Sequence, residues 1–184
     1  MFLPVIAALV VCALLAAPAK SNEQDSEIYR FDQFMNTDED IWVLNTTQSA
    51  PKNCKKDKKH NITESRIVFL RSHQDGNKIV NATLLGDFYQ DIEKKIFYDT
   101  IHISGDESGV YAEQLYYSSK DSVCGLVQVF AGSGNNGKYD LWRELRVRGR
   151  PNYHNLDEEC KSQYKAYVEA IEKTSTSPYR ANCQ

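Results

Sequence analysis

The chain contains three neighbouring apolar-rich runs: GVYAEQLYYS (Gly109–Ser118), SVCGLVQVFA (Ser122–Ala131) and KYDLWRELRV (Lys138–Val147). Short gaps rich in Gly, Ser, Asp and Asn separate them. Strand-like runs that recur about every ten residues between turn residues are typical of a meandering antiparallel barrel or sandwich. These runs therefore predict an all-β fold built from consecutive hairpins.

The same pattern continues towards the N-terminus. Four further runs are candidate strands: Ile41–Asn45, Arg66–Ser72, Lys78–Leu85 and Lys95–Ser104. Between the first two lies Cys54–His60, which is mostly charged and is compatible with an edge strand or a loop. The sequence thus predicts seven or eight strands.

The period of the apolar residues changes after the last run. Asn155-Leu156-Asp157-Glu158 has the form of a capping box, with Asn155 as the N-cap. Apolar residues then recur at steps of three and four as far as Ile171, as in an amphipathic helix. Strands followed by one C-terminal helix predict a closed barrel with the helix against its outer face. An eight-stranded barrel has room inside for one small ligand.

Composition and targeting signals restrict the function. The chain has 184 residues, 41% of them hydrophobic, and a formal net charge of −3, which excludes a disordered chain and disfavours bulk nucleic-acid binding. Residues 1–19 carry no charge and include a 13-residue apolar run, Val5–Ala17, too short to span a membrane. We interpret residues 1–19 as a cleaved secretory signal peptide and 20–184 as one domain. We therefore expect a secreted, extracellular protein that binds no membrane.

The cysteines and sequons fit an oxidising compartment. Cys12 leaves with the signal peptide, and the four remaining cysteines predict two disulfides with three possible pairings: Cys54, Cys124, Cys160 and Cys183. N-glycosylation is predicted at three sequons: Asn45, Asn61 and Asn81. No CxxC spacing, metal-ligand histidine spacing or nucleophile elbow is present, so we expect no metal, no cofactor and no enzymatic activity.

Side chains of the central runs indicate a binding site. Strict alternation places Tyr111 and Glu113 on one face of their strand, and Asp140 and Trp142 on one face of another. Aromatic rings around a carboxylate would capture an organic cation through ion pairing and cation–π attraction. The alternative is that these acids lie on the outer face in water. The basic cluster of Arg143, Arg146, Arg148 and Arg150 is interpreted as a solvated strand end, with an anion-binding patch as the alternative.

Three features resemble the tick salivary lipocalins of the histamine-binding type. The first is a spaced motif close to that family's amine-binder signature: Cys124-Gly125-Leu126, Asp140-Leu141-Trp142 and Cys160. Thirteen residues separate the first two parts, and seventeen separate Trp142 from Cys160. The second is the tail from Asn155 through Tyr164 and Tyr167 to Cys183, and the third is Asp32-Gln33-Phe34 before the first strand. Gly125 and Asp140 depart from the signature, which has Asp and Glu at these positions.

The resemblance implies an eight-stranded antiparallel lipocalin barrel with disulfides Cys124–Cys160 and Cys54–Cys183. It also implies an amine site formed by Tyr111, Glu113, Asp140 and Trp142, and a second, outer site with Asp32 and Phe34. The expected function is sequestration of a small host mediator, histamine or serotonin, by a monomer.

Two alternatives remain open. A lipid mediator such as a leukotriene would require a cationic group inside, for example an inward Arg143 or His102. A host-protein inhibitor would act through the outer surface, and its barrel interior would be filled by its own side chains. The side chains of the last strand that point inward discriminate between them: Asp140 with Trp142 favours an amine, and Tyr139, Leu141 and Arg143 favour a lipid acid.

Overall fold

Eight antiparallel strands form a closed barrel in the order β1 to β8, with β8 pairing back to β1. The computed structural model describes residues 29–91, 96–133 and 138–184, so the predicted signal peptide lies outside the described residues. The strands are β1 Ile41–Thr46, β2 Asn53–Ile62, β3 Arg66–Asp75, β4 Lys78–Asp91, β5 Ile96–Ser104, β6 Val110–Ser118, β7 Cys124–Ser133 and β8 Lys138–Arg148. Two α-helices flank the barrel, α1 Phe31–Met35 and α2 Glu158–Glu169. The predicted all-β barrel with a C-terminal helix is confirmed.

The charged segment Cys54–His60, for which an edge strand and a loop were both possible, lies within strand β2. It pairs with β1 on one side and β3 on the other, so it is not an edge. Within it Lys55 and Asp57 are buried while Lys58 and His60 are exposed. The sequence of this segment lacks the apolar alternation of a strand because its inward positions are charged. These charges are paired inside the barrel.

Helix α1 closes one end of the barrel. Phe31, Phe34 and Met35 are buried against the apolar side chains of the interior. A Cβ on Gly125 would lie 2.7 Å from two ring carbons of Phe34. Arg148 donates to the Phe34 carbonyl oxygen at 3.0 and 2.7 Å and so holds the C-terminal end of this short helix. Gly125 is therefore required by the packing of α1 onto the barrel.

Helix α2 packs on the outer face of β7 and β8 through Cys160, Tyr164 and Val168. Its N-cap is Asp157, whose side chain accepts a hydrogen bond from the Glu159 backbone N–H at 3.1 Å. The prediction of Asn155 as N-cap is wrong, because residues 153–155 form a separate 3-10 turn and the chain is extended at residue 156. Among the described residues, neither helix combines the length and apolar character needed to cross a membrane.

Two disulfides fasten the C-terminal part to the barrel. Cys124–Cys160 joins β7 to α2, and Cys54–Cys183 joins β2 to the tail. This is the pairing that the family resemblance implies. The tail also forms a bridge between Thr176 and Thr46 at the end of β1.

Candidate functional site

Among the described residues, six buried charged side chains on the strands form what we call the ionic layer: Lys55, Asp57, Arg71, Glu113, Glu144 and Arg146. None of these side chains is more than 9% exposed. Charges withdrawn from water in this way are tolerated only when they are paired and hydrogen-bonded. The layer holds three cations and three carboxylates, so its formal charge is balanced.

The two arginines connect the layer. Arg146 donates to Glu113 at 2.6 and 2.7 Å and to Glu144 at 2.8 Å. Arg71 donates to both oxygens of Asp57 at 2.8 Å and to Glu113 Oε1 at 2.8 Å. Both oxygens of Glu113 are thus occupied by guanidinium groups.

Lys55 and Trp142 complete the layer on the side of the open end. Both donate to Glu144 Oε1, Lys55 Nζ at 2.7 Å and the Trp142 indole N–H at 2.8 Å. Burial disfavours the charged form of Glu144, but Lys55 and Arg146 outweigh burial and lower its pKa to about 2. For the same reason Arg146 and Arg71 hold the pKa of Glu113 well below its usual value against the effect of burial. Both carboxylates are ionised in the folded protein at neutral pH.

Above the layer, the open end of the barrel contains a cavity of about 400 Å³. Its floor includes Lys55, Arg71 and Trp142, and its apolar wall includes Ala82 and Val110. The side chain of Asp106, on the loop between β5 and β6, also reaches the floor. The other lining residues lie nearer the rim: Gln48, Lys52, His73, Val80, Asn81, Thr83, Gly105, Glu107 and Ser108. Small-molecule sites typically combine apolar walls with a few polar groups in this way, in volumes of roughly 300–1,000 Å³.

The ionic layer presents hydrogen-bond donors to the cavity. Among the described residues, Lys55 Nζ has one hydrogen-bond partner, although an ammonium carries three N–H bonds. Arg71 Nη1 likewise donates one bond, to Asp106 Oδ2 at 3.2 Å, and carries two N–H bonds. Burial lowers the pKa of Lys55 against the opposing effect of Glu144. The carboxylates of Glu113, Asp57 and Glu144 do not line the cavity, so the charged groups that the ionic layer presents to it are the cations Lys55 and Arg71. The carboxylates of Asp106 and Glu107 line the cavity from the loop between β5 and β6.

The structure separates the four side chains of the predicted amine site. Glu113 lies in the ionic layer and Trp142 lines the cavity floor. Tyr111 is 42% exposed, with its ring 6.3 Å from that of exposed Tyr139, and Asp140 is exposed with Oδ1 accepting from the Leu141 N–H. A register shift between Val110 and Ala112 breaks the alternation of β6. The prediction that Tyr111 and Glu113 share a face is therefore wrong.

The predicted outer site is also dispersed. Asp32 forms a two-bond ion pair with Arg30 at 2.9 and 2.6 Å, and Phe34 is fully buried at the closed end. Of the inward cations considered for a lipid acid, His102 is exposed and Arg143 lies over the Tyr167 ring, 3.7 Å from its centroid. The predicted glycosylation sites lie on β1, β2 and β4; Asn61 and Asn81 are exposed and Asn45 is half-buried.

The interpretation of the basic cluster as a solvated strand end is wrong for Arg146, which is fully buried, and holds for exposed Arg150. Four further residues of the ionic layer were not predicted as site residues: Lys55, Asp57, Arg71 and Glu144. The available signal was the spacing of two between charges, Lys55 with Asp57 and Glu144 with Arg146, which places both members of each pair on one strand face. In the part of the chain that the structure describes, no group of His, Cys, Asp and Glu side chains is arranged to hold a metal ion.

Comparison with known proteins finds similar solved structures, whereas the sequence comparisons find no match. No protein-family model matches the sequence, and no curated protein does so either. Among solved structures, the siderocalin Ex-FABP, described as functioning through dual ligand specificities, is similar with a TM-score of 0.57 and 6% identity, over 79% of this chain and 92% of its own. A dog lipocalin allergen has a TM-score of 0.56 and 12% identity, over 78% and 95%.

A bovine odorant binding protein, in a deswapped triple mutant, has a TM-score of 0.54 and 12% identity, over 78% of this chain and 95% of its own. Sequence identities this low establish the fold alone. The closed eight-stranded antiparallel barrel, with its main helix following the last strand, is the lipocalin fold.

Proposed function

We propose that this chain is a secreted lipocalin that binds and sequesters a small acidic amphiphile in the cavity at its open end, without chemical change. The observation that carries the proposal is the cavity floor, where Lys55 and Arg71 present N–H donors for which the described residues supply no acceptor. A carboxylate head would accept from these donors, and its apolar part would pack on Trp142, Ala82 and Val110. A small lipid acid is thus the favoured class of mediator.

The amine implied by the family resemblance has less support from this geometry. An ammonium could reach Glu113, the acid implied by the resemblance, only by displacing a guanidinium group, because the two oxygens of Glu113 accept three arginine bonds at 2.6–2.8 Å. The aromatic ring and second acid expected around it, Tyr111 and Asp140, are exposed. Breaking a buried ion pair leaves an uncompensated charge and is costly.

Calorimetric titration with three ligands that differ only in the head group tests the proposal: decanoate, decanol and decylamine. We expect decanoate to bind most tightly, decanol more weakly and decylamine least, because the free N–H donors at the floor belong to the cations Lys55 and Arg71. Histamine and serotonin are titrated in parallel. Tighter binding of decylamine or of either biogenic amine than of decanoate would refute the acidic ligand and favour the amine.

Two variants locate the site. Ala82→Trp fills the cavity from its apolar wall and should abolish decanoate binding, while Ala166→Trp on the exposed face of α2 is the matched control and should leave it unchanged. The double variant Lys55→Gln/Glu144→Gln removes both members of one ion pair and leaves no lone charge from that pair. It should weaken decanoate binding about tenfold, as for loss of one charge-assisted hydrogen bond, and spare decanol.

A further inference from the structure

The loop between β5 and β6 places a carboxylate of the protein itself at the cavity floor. Gly105 and Gly109 have φ values of +88° and +83°, and between them the chain turns so that the Asp106 side chain enters the barrel. That side chain is only 8% exposed, whereas the neighbouring residues Glu107 and Ser108 are exposed. Asp106 therefore belongs to the cavity and Glu107 to its rim.

The carboxylate of Asp106 lies where an acidic ligand would contact Arg71. Its Oδ2 accepts from Arg71 Nη1 at 3.2 Å, which is longer than the three bonds of 2.8 Å that Arg71 makes to Asp57 and Glu113. The deeper bonds fix the guanidinium in position. The Asp106 bond is the outermost and, by its length, the weakest of the four.

The formal charges also indicate that Asp106 opposes the binding of an acid at Arg71. The ionic layer is formally neutral without Asp106, so the Asp106 carboxylate adds one uncompensated negative charge at the cavity floor. The other ionisable side chains that line the cavity are Lys52, His73 and Glu107, all nearer the rim. An anionic head group that approaches Arg71 therefore meets a like charge on the nitrogen it would bind.

We propose that Asp106 is a specificity-determining residue, an internal occupant of the acid site that must leave Arg71 before an acidic head group can bind there. Binding of an acid then moves the loop of residues 105–109, whereas a neutral amphiphile binds with the loop in place. This inference rests on the proposed function, because it concerns the same cavity and the same class of ligand.

The loop does not depend on Arg71 for its shape. Asp106 Oδ1, the oxygen that does not contact Arg71, accepts from the Ser108 backbone N–H at 2.8 Å and from the Ser108 hydroxyl. An asparagine at position 106 retains this oxygen and so can keep the turn. The variant Asp106→Asn should therefore fold, and thermal unfolding checks this directly.

The test compares Asp106→Asn with Glu107→Gln, since both remove one negative charge from adjacent positions but only the first changes a group bound to Arg71. We expect Asp106→Asn to tighten decanoate binding about tenfold, and Glu107→Gln, an exposed charge, to change it less than about twofold. Decanol affinity should be the same in both variants and in the unmodified chain. Equal effects of the two variants on decanoate would overturn the role of Asp106 and leave the proposed function standing.

A second measurement needs no variant. If the Asp106 carboxylate leaves its place, the Ser108 amide loses its acceptor, so saturating decanoate should accelerate hydrogen exchange at Ser108 while decanol should not. Unchanged exchange with bound decanoate would overturn the displacement. Failure of all three proteins to bind decanoate would instead overturn the proposed function, and this inference with it.

Discussion

The two halves of the barrel interior are equally buried but chemically opposite. The closed half is apolar, with Phe31, Phe34 and Ile67 all fully buried. The open half holds the ionic layer, in which Glu144 and Arg146 are also fully buried. Ile67 of the closed half and Arg71 of the ionic layer are both buried residues of β3, so along this strand the difference arises from the side chains and not from the backbone.

The two halves of the interior contribute differently to the protein. Apolar burial contributes to stability roughly in proportion to the area removed from water, about 25 cal/mol per Å². A buried ion network contributes little net stability, because desolvation offsets the attraction, but each member becomes indispensable to its partners. The closed half therefore stabilises the barrel, and the open half fixes the position of the donors that floor the cavity.

The largest expected effect comes from breaking the ionic layer at its centre. Arg146→Met leaves the Glu113 and Glu144 carboxylates without one of their partners and should cost about 3–5 kcal/mol of unfolding free energy. Urea denaturation measures this loss. The double variant Arg146→Met/Glu113→Gln leaves two balanced pairs, Lys55 with Glu144 and Arg71 with Asp57. It should be more stable than the single variant; a double variant that is less stable than Arg146→Met would contradict the network.

The pH dependence of stability distinguishes the halves next, because the ionic layer contains the buried carboxylates Asp57, Glu113 and Glu144, whereas the residues named for the closed half do not titrate. Since the folded-state pKa of Glu144 is lowered from 4.5 to about 2, its contribution is complete above about pH 4.5 and is lost as pH falls towards 2. This contribution is on the order of 3 kcal/mol. Urea midpoints measured between pH 7 and pH 2 should fall in this window. The fall should be shallower in Arg146→Met/Glu113→Gln, which lacks the Glu113 carboxyl; an equal slope in both proteins would argue against the layer as its source.

The closed half is tested by overpacking. Gly125→Ala places a methyl group 2.7 Å from the Phe34 ring carbons and should cost about 1–3 kcal/mol in thermal or urea unfolding. Gly132→Ala on the same strand is the control, because an added Cβ there meets nothing within 4 Å. Adding Phe34→Leu to Gly125→Ala should recover part of the lost stability, because the smaller side chain makes room for the methyl group. An equal loss of stability in Gly125→Ala and Gly132→Ala would show that Phe34 does not restrict position 125.

The smallest loss of stability is expected at the N-cap of α2, outside the barrel interior. Asp157→Ala removes the N-cap of α2 and should cost about 1 kcal/mol, whereas Asn155→Ala should cost little because Asn155 lies in the preceding 3-10 turn. Thermal unfolding of the two variants measures the difference. The reverse order would restore the capping box predicted from the sequence.

The barrel was largely predictable, and its site was not. Alternation and turn residues predicted seven strands and the C-terminal helix, because these patterns are local. Strand β2 remained ambiguous since its charges are satisfied by residues as distant in sequence as Glu144, which bonds Lys55 across 89 positions. Contrary to the prediction from alternation, Tyr111 does not share a face with Glu113, because a register shift in β6 changes which side chains face inward.

By itself the sequence determined the all-β class, the order of the strands, the position of the helix and the presence of two disulfides. These follow from hydrophobic periodicity and cysteine number, which are properties of the chain. Only the tertiary structure decided that Glu113 pairs with Arg71 and Arg146, and that Lys55 and Arg71 face the cavity. Closing the barrel joins β1 to β8 and brings inward-facing charges from distant strands within hydrogen-bond distance, and no local pattern specifies which charges will meet.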